Sequence, residues 1–286
     1  MLNLNLFVMT QAKISKRSYL ILIGGAEDKK RDKKILRLVV DKSQAKNVIV
    51  ISSASSYPYE VARDYDYAFR DIGVEKVTAF DIRYPDEADK EEYFEQLAEA
   101  QLIFFSGGDQ VKQVKALQGS QLIEKIRERF FAGTLTIAGT SAGAASAANP
   151  MIYDGDYRGF QKDTVNYSEG FGWLEGITID THFLNRQRIA RLAQFLSSGK
   201  SKRGIGIDED TAIVISPDMK FEVVGSGMVT LMSRDRTTNT NYQGLENNDY
   251  FSVNNLKIGF LAPGSSFSLQ KWMMLKKRKI LKKIPV

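Results

Sequence analysis

The 286-residue sequence contains no cysteine and one histidine, His182. The first absence excludes disulfides, thiolate metal sites and cysteine nucleophiles. The second excludes a histidine-rich metal centre; carboxylates alone would have to hold any ion, and no metal site is assigned. No stretch is long and apolar enough to cross a membrane, and residues 1–10 have neither a basic lead nor a cleavage site. After the glycine pair Gly24-Gly25 there is no third glycine of a dinucleotide fingerprint and no Gly-Lys-Ser/Thr of a P-loop. The expectation is a cytoplasmic protein with no cofactor and no membrane partner.

The net charge of +6 has a local source. Seven basic residues and no acid lie between Lys271 and Lys283; taking these 7 from +6 leaves −1 for the rest. A near-neutral body argues against nucleic acid as a partner. The segment 271–286 reads as a basic tail, either a solvated terminal helix or strand or a contact for an acidic polymer or surface. Residues 1–17 read as a flexible lead-in, and 18–270 as one α/β domain. Apolar content of 43% and charged content of 26% suit a soluble globule with a large core.

Apolar β-branched runs alternate with helical patterns through the first half of the chain. Strands are expected at 19–23, 47–51, 77–82, 102–105 and 135–138. Helices are expected at 33–40, 61–72, 89–100 and 111–131, the last in two pieces around Gly119. This alternation predicts a three-layer α/β sandwich: a mostly parallel central sheet with helices on both faces. Short strands from Ala212 onward would add an antiparallel extension toward the C-terminus. The Gly-, Asp- and Tyr-rich stretch 153–172 reads as a long loop over the site.

The centre of the sequence is Gly139-Thr140-Ser141-Ala142-Gly143, between an apolar strand and a run of small residues. A G-x-S-x-G there puts serine on a sharp strand-to-helix turn. The same pattern also serves tight strand–helix packing. If Ser141 is a nucleophile it needs a base, either His182 or a lysine. The Ala142 N–H would face a developing oxyanion, with a second donor from Gly107 or Gly108 at the end of the preceding strand. Ser52 to Ser56, Gly107 to Gln110 and Ser141 all fall at strand carboxyl ends, where α/β sheets bind ligands. A helix is expected to open at Asn185, and Arg188 and Arg191 sit three apart at its start, against the dipole preference, which favours a role in carboxylate recognition over simple pairing with nearby acids. The run Asp208-Glu209-Asp210 would orient His182, bind a guanidinium or form a solvated turn.

Five blocks in order carry a family resemblance: Ile23 to Lys29, Phe105 to Gln110, Ala138 to Ala145, Asp180 to Arg188, and Gly204 to Thr211. The chain resembles the serine peptidase family that holds the cyanophycinases and the aspartyl dipeptidase peptidase E. The resemblance implies Ser141 as nucleophile, His182 as base and Glu209 as the acid that orients it. It places Gln110, Asp180, Thr181, Arg186, Arg188 and Arg191 in the substrate pocket. It implies cyanophycin as the substrate, a poly-aspartate with arginine on each β-carboxyl, cut to β-aspartyl-arginine. It also implies a homodimer. Thr181 departs from the family, which usually has glutamine there. An aspartyl dipeptidase and a non-catalytic binding protein on the same fold are the rival readings. A class I amidotransferase is excluded, because that chemistry needs a cysteine.

Overall fold

The computed structural model describes residues 18–155 and 159–274. The lead-in 1–17 and the basic tail from 275 onward lie outside the described residues. The first half alternates strand and helix: β1 (Leu20–Ile23), α1 (Lys34–Ser43), β2 (Asn47–Ile51), α2 (Pro58–Asp71), β3 (Lys76–Phe80), α3 (Glu91–Glu99), β4 (Leu102–Phe105), α4 (Gln110–Leu117), α5 (Gln121–Phe131), β5 (Thr136–Thr140) and α6 (Ala142–Ala145). The second half is mostly strand: β6 (Ala148–Asn149), β7 (Met151–Gly155), β8 (Val165–Ser168), β9 (Leu174–Glu175), β10 (Thr178–Thr181), α7 (Ile189–Ser197), β11 (Arg203–Ile207), β12 (Thr211–Ile215), β13 (Lys220–Gly225), β14 (Val229–Ser233), β15 (Asn239–Thr240), β16 (Val253–Asn254), β17 (Lys257–Leu261), β18 (Ser266–Ser268) and α8 (Leu269–Met274).

Eight strands form the main sheet in the order β18-β13-β12-β1-β5-β4-β2-β3. The five from β1 to β3 are parallel. Strands β12, β13 and β18 add the antiparallel extension. Side chains alternate between two cores, as a pleated strand requires. Leu20 and Leu22 of β1, with Ile49, Ile51, Ile103 and Phe105, pack against residues of α3, α4 and α5. Ile21 and Ile23, with Val48, Val50 and Phe104, pack against α1 and α2. Each of these side chains contributes about 1.5–3 kcal/mol by burial, so both helical layers are held by the sheet. The helix break falls where expected: Gly119 takes φ +84, and the Ser120 hydroxyl caps the next helix at Ile123 N–H, 3.2 Å away.

A second sheet runs β10-β11-β14-β17, with β10 and β11 parallel and the rest antiparallel. Three local expectations are corrected. The stretch 153–172 is not one loop, because β7 and β8 pair antiparallel as a hairpin. A bulge between Ile152 and Asp154 breaks the alternation that would have revealed it. Helix α7 begins at Ile189 rather than at Asn185, because Gln187 takes φ +55 and Arg188 stands outside as the cap residue. Finally, α8 crosses the expected boundary after Gln270: Trp272 is buried and lies under the Arg203 guanidinium.

Candidate active site

Strands β4, β5 and β1 are neighbours and parallel, so their carboxyl ends share one edge of the sheet. At that edge β5 turns into α6 through Ser141, whose φ of 51° and ψ of −111° are unfavourable for a residue with a Cβ. The turn is held by Ser141 N–H donating to the Ile23 carbonyl at 3.0 Å. Its two glycines are required by space. A Cβ on Gly139 would lie 2.5 Å from the Gly143 carbonyl, and one on Gly143 would lie 2.2 Å from the Phe105 oxygen. Serine therefore stands on a bend that only small residues on either side permit.

His182 follows β10 and is placed by backbone. Its N–H donates to the Gly24 carbonyl at 2.9 Å, and its ring lies against Gly25, where a Cβ would come within 2.3 Å of Cε1. Ser141 Oγ is 2.8 Å from His182 Nε2, and His182 Nδ1 is 2.7 Å from Glu209 Oε1. The carboxylate can only accept, so Nδ1 carries the proton and Nε2 offers its lone pair to the hydroxyl. Burial pushes the His182 pKa down, the Glu209 hydrogen bond opposes this, and the Arg186 charge adds to the lowering. The imidazole is therefore neutral at pH 7.

The three consecutive acids have three different surroundings. Glu209 meets His182, and its own N–H donates to Asn185 Oδ1 at 2.9 Å. Asp208 is buried and accepts from Leu184 N–H at 2.8 Å and Met228 N–H at 3.0 Å. It ties the turn after His182 to the start of β14. Asp210 accepts from the Ser226 hydroxyl at 2.7 Å. No guanidinium meets Asp208 or Asp210 among the described residues.

Gly107 faces the serine across the cleft. A Cβ built on it would lie 3.4 Å from Ser141 Cβ and 4.0 Å from Oγ. Gly108, at φ +140, packs so tightly on the Ala54 carbonyl that a Cβ would come within 2.2 Å. The N–H groups of Gly107, Gly108 and Ala142 have no hydrogen-bond partner among the described residues. The turn after β2 supports this loop through the backbone, Asp109 N–H donating to the Ala54 carbonyl at 2.9 Å, and its own serines hold that turn. Ser53 Oγ accepts from Ile82 N–H and Ser55 Oγ from Tyr57 N–H.

The remaining sequence-predicted residues divide by exposure. Asp180 is 1% exposed and takes Nε and Nη2 of the buried Arg191. Arg188 Nη1 reaches Asp180 at 3.4 Å and the Thr181 carbonyl at 2.6 Å. The carboxylate that Arg188 and Arg191 meet in this structure is thus Asp180. Burial lowers the Arg188 pKa to about 10, which leaves it charged at neutral pH. Arg191 also donates to the Gly155 carbonyl and Gln110 to the Ile152 carbonyl, so both anchor the β7–β8 hairpin. Thr181 is buried. Arg186 is exposed, with no side-chain partner among the described residues.

A cleft of about 240 Å³ opens beside Ser141 and His182, walled by Gly25, Glu27, Lys29, Asp64, Tyr65 and Gly107 among others. Sequence reasoning assigned no role to Glu27, Lys29, Asp64 or Tyr65. The signals for Glu27 were its place two residues after a glycine pair at a strand end and its membership of the block Ile23 to Lys29. Among the described residues there is no cluster of three His, Cys, Asp or Glu fit for a metal, and no helix is long and apolar enough to cross a membrane.

A hydroxyl, an imidazole and a carboxylate in hydrogen-bonded series at a strand edge is the arrangement by which serine peptidases are recognised, whatever their chain order. Residues 20–223 match the model of Peptidase family S51, and the chain belongs to that family of serine peptidases. It is 34% identical over 262 residues to a cyanophycinase of Trichormus variabilis, covering 91% of this chain and 88% of the relative. A cyanophycinase of Synechococcus elongatus is 34% identical over 257 residues, covering 89% and 80%. The crystal structure of a peptidase from an acI-B1 Actinobacterium superposes with a TM-score of 0.66 at 21% identity, over 90% of this chain and 99% of that one. That likeness establishes the shared fold.

Proposed function

We propose that this peptidase hydrolyses cyanophycin, releasing β-aspartyl-arginine through an acyl-enzyme on Ser141. The observation that carries the reading is the series Ser141 Oγ, His182, Glu209 at 2.8 and 2.7 Å, in a chain similar along nine-tenths of its length to cyanophycinases. Ser141 Oγ attacks the backbone carbonyl carbon of an aspartate whose side chain carries arginine, while Nε2 of His182 takes the hydroxyl proton. The N–H groups of Ala142 and of Gly107 or Gly108 hold the oxyanion. The C–N bond then breaks, and His182 returns the proton to the leaving amine. Water enters, loses its proton to His182 and attacks the Ser141 ester. The released acid leaves, and the proton returns to Oγ. Glu209 stabilises the imidazolium at both stages.

The polymer repeat carries both a carboxylate and a guanidinium. Arg186, exposed and unpaired among the described residues, is the group best placed to take a carboxylate in bidentate fashion. Arg188 and Arg191, tied to Asp180, shape the pocket behind it, with Thr181 and Gln110. The test compares wild type with Ser141→Ala on cyanophycin. Turnover should fall by at least about 10³-fold while polymer binding persists. A Ser141→Ala protein with wild-type turnover contradicts the reading. A wild type that cuts α-aspartyl dipeptides and leaves the polymer intact replaces it with the dipeptidase reading.

A further inference from the structure

The cleft wall beside the nucleophile holds a carboxylate that the proposed chemistry leaves unused. The Glu27 side chain is 1% exposed. Its Oε2 accepts from Thr140 Oγ1 at 2.5 Å. Its Oε1 accepts from the Tyr65 hydroxyl of α2 and faces Lys29 Nζ at 3.1 Å. Lys29 in turn lies over the Tyr65 ring, 4.9 Å from its centre. Burial and the charge of Glu27 push the Tyr65 pKa well above its ordinary value, so the phenol remains a donor.

Glu27 belongs to the turn after β1, and the end of β1 with that turn bonds to the backbone of each segment that carries a triad residue. The Ile23 carbonyl accepts from Ser141 N–H at 3.0 Å, that of Gly24 from His182 N–H at 2.9 Å, and that of Gly25 from Asp210 N–H at 2.8 Å. Three successive carbonyls thus anchor the serine, histidine and glutamate segments. At the joint between Thr140 and Ser141 the main-chain bond to Ile23 is joined by a side-chain bond. Thr140 ends β5, and the residue after it is the one in the unfavourable conformation. The Glu27 bond to Thr140 is the side-chain tie at that joint, and bonds to a carboxylate are shorter and stronger than neutral ones.

We propose that Glu27 is a positioning residue for the nucleophile. Acting through Thr140, it holds the end of β5 so that Ser141 keeps its backbone conformation and its reach to His182. This rests on the reading of Ser141 as nucleophile. Thr140→Val deletes the hydroxyl and keeps the shape; Thr140→Ser keeps the hydroxyl.

The measurement is the second-order rate at which a fluorophosphonate modifies Ser141, read by intact mass, alongside kcat and KM on the polymer. Thr140→Val is expected to react at least about tenfold more slowly, with kcat lowered and KM unchanged, as misplacement of a reacting atom requires. Thr140→Ser is expected to restore the rate to within about twofold. A role confined to stability would lower the melting temperature and leave the labelling rate alone. Thr140→Val labelled at the wild-type rate overturns the proposal. If Thr140→Val does not accumulate as folded protein, Glu27→Gln decides. It keeps the side-chain size and removes the charge; labelling several-fold slower supports the proposal, and the wild-type rate overturns it. The probe reads the serine without the polymer. A wild type labelled at Ser141 that leaves cyanophycin intact refutes the substrate and not the positioning role, whereas an unlabelled wild type overturns both.

Discussion

Gly25→Ala separates the geometry of the triad from the stability of the fold. A Cβ at this position would lie 2.3 Å from His182 Cε1, 2.6 Å from Nε2 and 3.0 Å from Nδ1, where ordinary contact begins near 3.4 Å. The ring must retreat by about 1.1 Å, the difference between 3.4 and 2.3 Å. It is held at both ends by bonds of 2.8 and 2.7 Å, and stretching either by that much takes it out of hydrogen-bond range. A misplacement of about 1 Å in a catalytic array costs about 100-fold in rate, or about 2.7 kcal/mol of transition-state stabilisation. The backbone adds a separate cost, because Gly25 sits at φ +101, which alanine adopts only at about 1–3 kcal/mol. Gly73→Ala supplies the control: Gly73 has φ +97 with nothing within 4 Å of the new Cβ. Urea denaturation should show both variants destabilised to a similar extent. Steady-state hydrolysis of the polymer should fall only in Gly25→Ala. Full activity in Gly25→Ala, or an equal loss in both, would refute the account of how the imidazole is held.

The pH profile carries two shifts of opposite sign. The reaction needs neutral His182, whose pKa burial holds below the ordinary imidazole value, so kcat/KM should be flat at neutral pH and fall only on the acid side of that ordinary value. Arg186→Gln removes a charge that lowers this pKa and should move the acid limb up. Glu209→Gln removes the hydrogen bond to a carboxylate that raises it and should move the limb down; a limb that moves the other way in either variant contradicts the assignment. Asp180→Ala leaves the buried Arg191 without its counter-charge and should cost about 3–5 kcal/mol of stability, measured by denaturant unfolding. An unchanged midpoint would show that Arg191 finds another partner.

The parallel half of the fold was legible because its inner strands are short apolar runs, several of them ending at glycines or hydroxyl residues. Leu20–Ile23 and Leu102–Phe105 are buried at every position, as strands between two helical layers must be. The serine turn was legible for a related reason: Gly139 and Gly143 mark backbone approaches that exclude a Cβ. The β7–β8 hairpin was not, since Met151 and Ile152 are consecutive and both buried, Tyr153 and Asp154 are consecutive and both exposed, and a bulge lies between Ile152 and Asp154, so no alternation marks the strand. The role of each arginine was also hidden. Arg188 and Arg191 looked poised for an external carboxylate, yet Asp180, 8 and 11 residues away, fills that place. Glu27 and Thr140 lie 113 residues apart, and no local pattern announces a contact made only when β1 and β5 pair.

The central claim is most directly tested by the mass spectrum of what wild-type protein releases from purified cyanophycin. The account predicts β-aspartyl-arginine dipeptide as the product, absent when Ser141→Ala replaces the wild type. Release of free arginine from an intact poly-aspartate backbone, or no release at all by a protein whose Ser141 reacts with a fluorophosphonate, would contradict it.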